Sequence, residues 1–530
     1  MVEVRLAGYN IDAEVVEAAK QLILAVQNGD EDILEAVRQG GFIRPEQFSP
    51  ETVPAAYARI SRDPRHLAEI RADARDDVEK AQKSNATIVF DMGHKSVGNH
   101  ANFNLDVTGI SRLAIESLEA RRIGTGYTEK SQRYITMEGD YVRPADLSPE
   151  DLASFVNLIE NVQNAFYARN FETLVEYHFE NAGKQYKTGK RNKRLEGLGK
   201  EDARFALGLA TEGQVGVTFS ATALEHAVRI LKYSPIAEER DLAQKLYAAA
   251  VPIAPSLTWY TDPERFEEQF GRPLEDGNFR DSPQTMKKAA ADVFAKLPDR
   301  LENPLNVKYS NTVSDVTRID CNDIDTNVMA AVLFANSKEP LKRCYQAAGH
   351  LNANPEKSMQ FMQEILQHVT GYDNPPREFE FAEGLKFAVD VSSSCFAQYK
   401  RHRMMTLLAQ DYDPDLGIIV PDSIKETGLE QELQDVCGQS ADLHAKFKER
   451  YGKAAEYCLT NAHKRRILVG INPREMNHFS RQRCDGHAQW DIRSRSNAMV
   501  WLAREIAPLA HLVTCGKDAF AARHKEIYGK

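Results

Sequence analysis

The sequence predicts an α+β chain in which one order of elements is laid down twice. Three observations carry this. Val4-Arg5-Leu6-Ala7-Gly8-Tyr9 alternates as a strand does, and helical periodicity follows from Asp12 to Gln27. Asn306-Val307-Lys308-Tyr309-Ser310 repeats that opening, with helical patterns after it from Ile324 to Phe334 and from Pro355 to Thr370, as an internal duplication would. Between the two, Pro252 to Pro298 is richer in Pro, Asp and Gly and interrupts the pattern. The boundaries that follow are a first domain over 1–252, a connection over 253–304 and a second domain over 305–530.

The elements of the first half can be justified in order. Asp12 is placed to cap the opening helix, and Ser49-Pro50-Glu51-Thr52 opens another that runs to Ile60. A charged helical stretch spans Pro64 to Gln82. Thr87-Ile88-Val89-Phe90 then leads into Gly93-His94-Lys95-Ser96-Val97-Gly98-Asn99-His100. Two histidines flanked by glycine could hold a metal, but no third ligand has matching spacing, which favours a hydrogen-bonding or ligand-facing role and no metal. Phe103 to Val107 alternates as a strand, and Ser111 to Ala120 is helical. Glu129, Ser131, Gln132 and Arg133 crowd into five positions and could bind an anion or a nucleobase edge; composition alone leaves a solvated turn equally open. Ser148-Pro149-Glu150 caps a helix reaching about Ala182, whose aromatics suit a core. The basic cluster Lys184 to Lys200 reads first as a solvated loop, with a phosphate or RNA patch left open. Val215 to Phe219 is a strand, and Ala223 to Leu231 and Ala237 to Val251 are helices.

In the second half, Phe379-Glu380-Phe381 takes the place of the alternating strand, and Phe387 to Tyr399 reads as a helix that delivers Gln398 and Arg401 one turn apart on one face. Gly417 to Pro421 is extended, Ser440 to Leu459 a helix and Arg466 to Ile471 a strand. A helix from Glu475 onward carries His478 and Arg483, and Asp485 to Arg493 opens the last long helix.

Composition limits the function. A formal charge of -10 argues against a general nucleic-acid binder, so any anion must be held locally. The Val2-Glu3-Val4-Arg5-Leu6 opening lacks the pattern of a signal peptide, and no run of about 18 apolar residues offers a membrane span. All seven cysteines follow residue 320 with no CxxC pair, as expected of reduced thiols in a cytoplasmic protein.

Taken together, these motifs resemble the flavin-dependent thymidylate synthases. That family carries His-x-Ser-Val-x-x-His, then Gln-x-x-Arg-His-Arg with a serine after seven further residues, a following Arg-Tyr, and later Asn-x-Arg and Ala-Gln-Trp-Glu-Ile. The first half supplies His94, Ser96, Val97 and His100, then Ser131, Arg133 and Tyr134. The second supplies Gln398, Arg401-His402-Arg403, Asn472-Pro473-Arg474, Arg483 and Ala488-Gln489-Trp490-Asp491-Ile492. Losses are complementary: the first half has Leu118, Arg121-Arg122-Ile123 and Ser220-Ala221-Thr222 at motif positions, and the second has Tyr372-Asp373-Asn374 and Asp411. Arg204, in an Ala-Arg-x-x-Leu segment that the family uses for nucleotide phosphate, is answered by Glu456.

The resemblance implies two tandem copies of the family fold, each a central antiparallel sheet with helices, and a homodimer that rebuilds the family's tetramer. It implies methylation of dUMP to dTMP by FAD, with methylenetetrahydrofolate and NADPH as co-substrates, at one composite site drawn from both halves. By resemblance, Ser131, Arg401 and Arg483 serve the chemistry; Gln398, Glu129, Gln132, Arg133 and Arg204 join them around dUMP. His94, Ser96, Glu129, Arg401, His402, Arg403, Asn472, Arg474 and His478 face the flavin. Arginine suits the phosphate because its planar fork bonds in pairs and stays charged, and suits a pyrimidine carbonyl where negative charge develops. Asn99 and His478 depart from the family's usual glutamate and asparagine, which keeps open a changed product such as a hydroxymethylated uridylate. A catalytically silent flavin- or nucleotide-binding protein is the other reading.

Overall fold

The computed structural model describes residues 2–40, 42–60, 62–92, 94–120, 123–133, 135–182, 193–298, 308–309, 315–320, 324–366, 376–382, 384–506 and 514–528. The chain forms two compact units, one from residues 1–130 and 212–276, the other from 131–211 and 277–530. Among the described residues, no helix is long and apolar enough to cross a membrane.

The first unit is built on a four-stranded antiparallel sheet, β1 (Glu3–Tyr9), β2 (Asn102–Ser111), β3 (Thr125–Glu129) and β4 (Glu212–Ser220), in the order β1-β2-β4-β3. Period two explains it. Phe103, Leu105 and Val107 pair with Phe219, Val217 and Val215, and all six are buried. Each such side chain contributes about 1.5–3 kcal/mol by leaving water. The helices Ala221–Lys232 and Ala237–Ala250 close the core with Leu224, Val228, Leu242 and Leu246. His94 precedes the short helix Lys95–His100 without a side-chain capping bond, and His94 and Ser96 are exposed.

The second unit holds a five-stranded antiparallel sheet: β5 (Lys308–Tyr309), β6 (Val316–Asp320), β7 (Leu385–Ser392), β8 (Thr406–Ala409) and β9 (Lys464–Ile471), in the order β5-β6-β7-β9-β8. Phe387, Val389, Val469 and Ile471 pack with Tyr399, Phe479, Ile492 and Met499. A second core in this unit joins residues 131–211 to the later sequence: Phe166, Leu174 and Phe205 pack with Ile424, Leu433 and Val436. Omitting β5, both sheets run in the same order. Both also tie the serine that caps the helix after the second strand to an acid far along the chain: Ser111 Oγ donates to Glu238 Oε2 and Ser392 Oγ to Asp491 Oδ2, each at 2.6 Å.

Several expectations are corrected. Phe379-Glu380-Phe381 lies in a 3-10 turn, Arg377–Ala382, and the strand is Leu385–Ser392. The helix read from Phe387 therefore begins at Ser393: Phe387, Val389 and Val391 alternate into the core, and Ser392 Oγ takes Cys395 N–H as a cap. The first-half helix expected from Ser49 starts at Thr52, with Ser49 Oγ turned to Glu51 N, and the helix expected from Ser440 starts at Glu430. The interval 253–304 carries the helices Pro263–Phe270 and Ser282–Ala295. Lys184 to Arg191, Tyr134, Arg121, Arg122, Tyr372 to Asn374 and Cys321 lie outside the described residues. Cys344, Cys395, Cys437 and Cys458 are free and buried.

Candidate active site

The helix Ser393–Tyr399 is buried along its whole length and presents Gln398 near its end. Gln398 Nε2 donates to Gln489 Oε1 at 2.6 Å, and Gln489 Nε2 donates in turn to Ser394 Oγ at 3.3 Å. Arg401 lies beyond the helix, whose C-cap is Lys400, so the expected shared helical face of Gln398 and Arg401 is not formed. The short helix is closed by the turn that starts the Arg401-His402-Arg403 segment.

Arg483 ends the helix Pro473–Arg483, which Asn472 caps by accepting Glu475 N–H at 3.0 Å. From there it donates three times: Nη1 to Gln398 Oε1 at 3.1 Å, Nη2 to Gln398 O at 3.4 Å, and Nε to His402 Nε2 at 2.8 Å. Burial, with Arg483 beside it, pushes His402 down to about 4, so the ring is neutral near neutral pH. Because Nε2 accepts from Arg483, the ring proton resides on Nδ1, which faces Glu475 Oε1 at 3.8 Å. His402, Glu475 and His478 have ligand atoms within 4.8 Å of one another. His478 is exposed and accepts from Gln482 Nε2 at 3.2 Å. Arg403 is exposed, and the side chain of Arg474 lies outside the described residues.

Residues 131–211 bring a second set of side chains to this unit. Ser131 Oγ accepts Arg133 N–H at 3.2 Å, which turns the chain so that Arg133 Nε bonds the Glu201 carboxylate and Nη2 reaches His487 O at 3.3 Å. Arg204 is buried and donates from Nη2 to Ser394 Oγ at 2.5 Å. Gln132 is buried and its Oε1 accepts from Asn461 Nδ2 at 3.3 Å. Asp202 fastens the arrangement by accepting from His178 Nε2 at 2.8 Å, Ser423 Oγ at 2.6 Å and Trp490 Nε1 at 2.9 Å. The Trp490 indole stacks on Phe205 with centroids 5.7 Å apart.

Arg133 and Arg401 lie close enough to Arg483 that, after burial, they help push its guanidinium down to about 10. Gathered cations of this kind, beside a glutamine amide that Ser394 and Gln489 link to Arg204, suit an anion and a developing negative charge. The second unit thus holds Ser131, Gln132, Arg133, Arg204, Gln398, Arg401, His402, Arg403, Asn472, Arg474, His478 and Arg483. Glu129, His94 and Ser96 belong to the first. Reasoning from the sequence did not single out Gln489, Ser394, Glu201, Asp202 or Asn461 as site residues; the Ala-Gln-Trp run was a signal for Gln489 alone.

The thymidylate synthase complementing protein family matches the chain over residues 46–256 and 327–509. A protein of Thermoplasma acidophilum described as UPF0159 protein Ta1429 is 21% identical over 481 residues, covering 82% of this chain and 89% of its own length. A flavin-dependent thymidylate synthase of Geobacter sulfurreducens is 31% identical over 217 residues, 39% of this chain and 80% of its own. The solved thymidylate synthase X of Helicobacter pylori with FAD and dUMP is 14% identical, covers 49% of this chain and 98% of its own, and has a TM-score of 0.26.

Proposed function

Because the chain belongs to the thymidylate synthase complementing protein family, the family of the flavin-dependent thymidylate synthases, we propose that it methylates dUMP to dTMP with FAD, methylenetetrahydrofolate and NADPH. The observation that carries this reading is the gathering of Arg133 and Arg401 near Arg483, which itself bonds Gln398, with Arg204 held at Ser394. In this reading Arg133 and Arg204 grip the nucleotide phosphate, Ser131 and Gln132 lie along it, and Gln398 orients the pyrimidine. Arg401 and Arg483 stabilise the negative charge that develops on the ring, which needs no covalent nucleophile from the chain.

The donor set suits a flavin nucleotide: neutral His402, Asn472, and the exposed Arg403 and His478 offer hydrogen bonds and positive charge beside the arginines. With Arg401 and Arg474 they would hold FAD, which supplies the reducing equivalents when bound. The chain's own residues position the ring and keep His402 unprotonated.

Two tandem copies are part of the proposal. The shared strand order, the matching Ser111–Glu238 and Ser392–Asp491 bonds, and the caps at Ser220 and Asn472 support it. Under the register that aligns those caps, Arg204 falls on Glu456 and Glu201 on Lys453, which pairs with Asp411 at 3.5 Å. The charges are reversed where the second phosphate grip would stand. One competent site per chain, in a homodimer, follows.

The test is the flavin content of the purified protein and its oxidation after reduction. Near one FAD per chain, with oxidation that requires dUMP and methylenetetrahydrofolate and yields dTMP, is the expected result. Absence of flavin, or flavin with no response to dUMP, would reject the synthase reading; two equivalent flavins per chain would reject the single site.

A further inference from the structure

Glu201 bonds Arg133 and feels the charge of Arg204, the two arginines assigned to the phosphate, and the reaction gives it no place. It lies in the last turn of the helix Lys193–Ala203, three residues before Arg204, and is 1% exposed. One oxygen, Oε2, takes the bond from Arg133 Nε; the other, Oε1, has no hydrogen-bond partner among the described residues. Its neighbours are otherwise committed. Asp202 is bonded to His178, Ser423 and Trp490, and Lys200 pairs with Glu196 at 2.7 Å. The charged groups facing Glu201 are therefore Arg133 from the 131–133 turn, and Arg204 and Asp202 from its own segment. Burial outweighs the two arginines and holds the carboxyl above its ordinary range.

An anionic phosphate and Glu201 compete for the same guanidinium. A buried carboxylate that loses its cation and meets a dianion cannot stay ionised without a large desolvation cost. We propose that Glu201 is a third member of the phosphate grip: as a phosphate monoester draws Arg133 onto itself, the carboxylate takes one proton from solvent and donates that O–H to a phosphate oxygen. No bond other than the transferred O–H changes, and the proton comes from water or buffer. Ligand affinity then falls as pH rises through the window between the free and bound states of Glu201, by up to about tenfold per pH unit.

This rests on Arg133 and Arg204 holding a nucleotide phosphate. The experiment is calorimetry of dUMP binding to the full-length protein at pH 8, in two buffers of different ionisation enthalpy, with deoxyuridine as the phosphate-free control. The phosphate's own second ionisation, near pH 6, is then complete. Uptake approaching one proton per dUMP is expected for the wild type, none with deoxyuridine, and none for Glu201→Gln, whose amide can donate without titrating. Binding of dUMP without proton uptake, or equal uptake in Glu201→Gln, overturns the proposal and leaves the phosphate site standing. No binding of dUMP by the wild type overturns both.

Discussion

Gly208 and Thr460 face each other across an antiparallel bridge, flanked by Leu209 N–H donating to Leu459 O and Asn461 N–H to Leu207 O, each at 2.8 Å. The two flanking bonds exchange places when the segments 204–211 and 456–463 are swapped, as they would about a local twofold axis. Crowding at this contact sets a limit on Gly208, because a Cβ there would strike Gln163 Oε1. Gln163 is buried and donates from Nε2 to Ser440 Oγ at 2.9 Å and Cys458 O at 2.8 Å. Gly208→Ala should displace it and cost roughly 1–3 kcal/mol, read as a lower urea midpoint. Combined with Gln163→Ala, the two costs should fall short of their sum; strict additivity would mean that Gln163 does not mediate the effect.

Arg483 is the side chain whose loss should be felt in chemistry before stability. Arg483→Ala leaves Gln398 Oε1 and His402 Nε2 without their donor, and removal of one such group from a reacting centre costs about 100- to 1000-fold in turnover. Arg483→Lys keeps the charge but not the fork that serves both partners at once, and should lose most of the rate as well. Steady-state dUMP turnover by the lysine variant at the wild-type rate would remove Arg483 from its assigned place.

Three buried histidines predict how stability depends on acid. Burial pushes His402, His444 and His463 each down to about 4 from an ordinary 6.5. The unfolded chain takes up these protons near pH 6.5 while the folded chain resists until about pH 4. The stability they contribute is therefore fully present above 6.5 and lost as pH falls toward 4, by at most ~1.4 kcal/mol per pH unit for each histidine. Urea unfolding at pH 7.5, 6 and 5 should show this slope, and His444→Gln should flatten it. An unchanged slope in that variant would deny His444 its share.

How much of this was legible in the sequence depends on the range of the interaction. Strands with strict alternation, such as Val215 to Phe219, and helices with an aspartate or serine cap, such as that after Asp12, can be read because their cause lies within a few residues. Phe387 to Ser392 reads as helix in the sequence because it runs into Ser393–Tyr399 without a turn residue; the boundary is set by the Ser392 cap and by pairing with β9, more than seventy residues later. The guanidiniums and Gln398 could be picked out from their motifs. Glu201, Asp202 and Asn461 could not, since what marks them is a partner such as Arg133, Trp490 or Gln132, met only when the chain folds.

Glu456 supplies the opposite pH dependence. Under the proposed repeat it occupies the position equivalent to Arg204; it is fully buried, and neither carboxylate oxygen has a hydrogen-bond partner among the described residues. Burial, reinforced by Asp411 and opposed by Lys453 and Arg465, pushes it up to about 7 from 4.5. The folded state thus prefers the protonated acid. Its contribution is complete below pH 4.5 and disappears as pH rises through 7, where the buried charge must be borne. Glu456→Gln is isosteric and cannot ionise, so it should leave stability at pH 4.5 near that of the wild type and raise it at pH 8.5 by an amount on the order of a few kcal/mol. Melting temperatures of both proteins at the two pH values decide the matter: an equal gain at pH 4.5 and 8.5 would show that packing, and not the buried charge, is what the substitution changes.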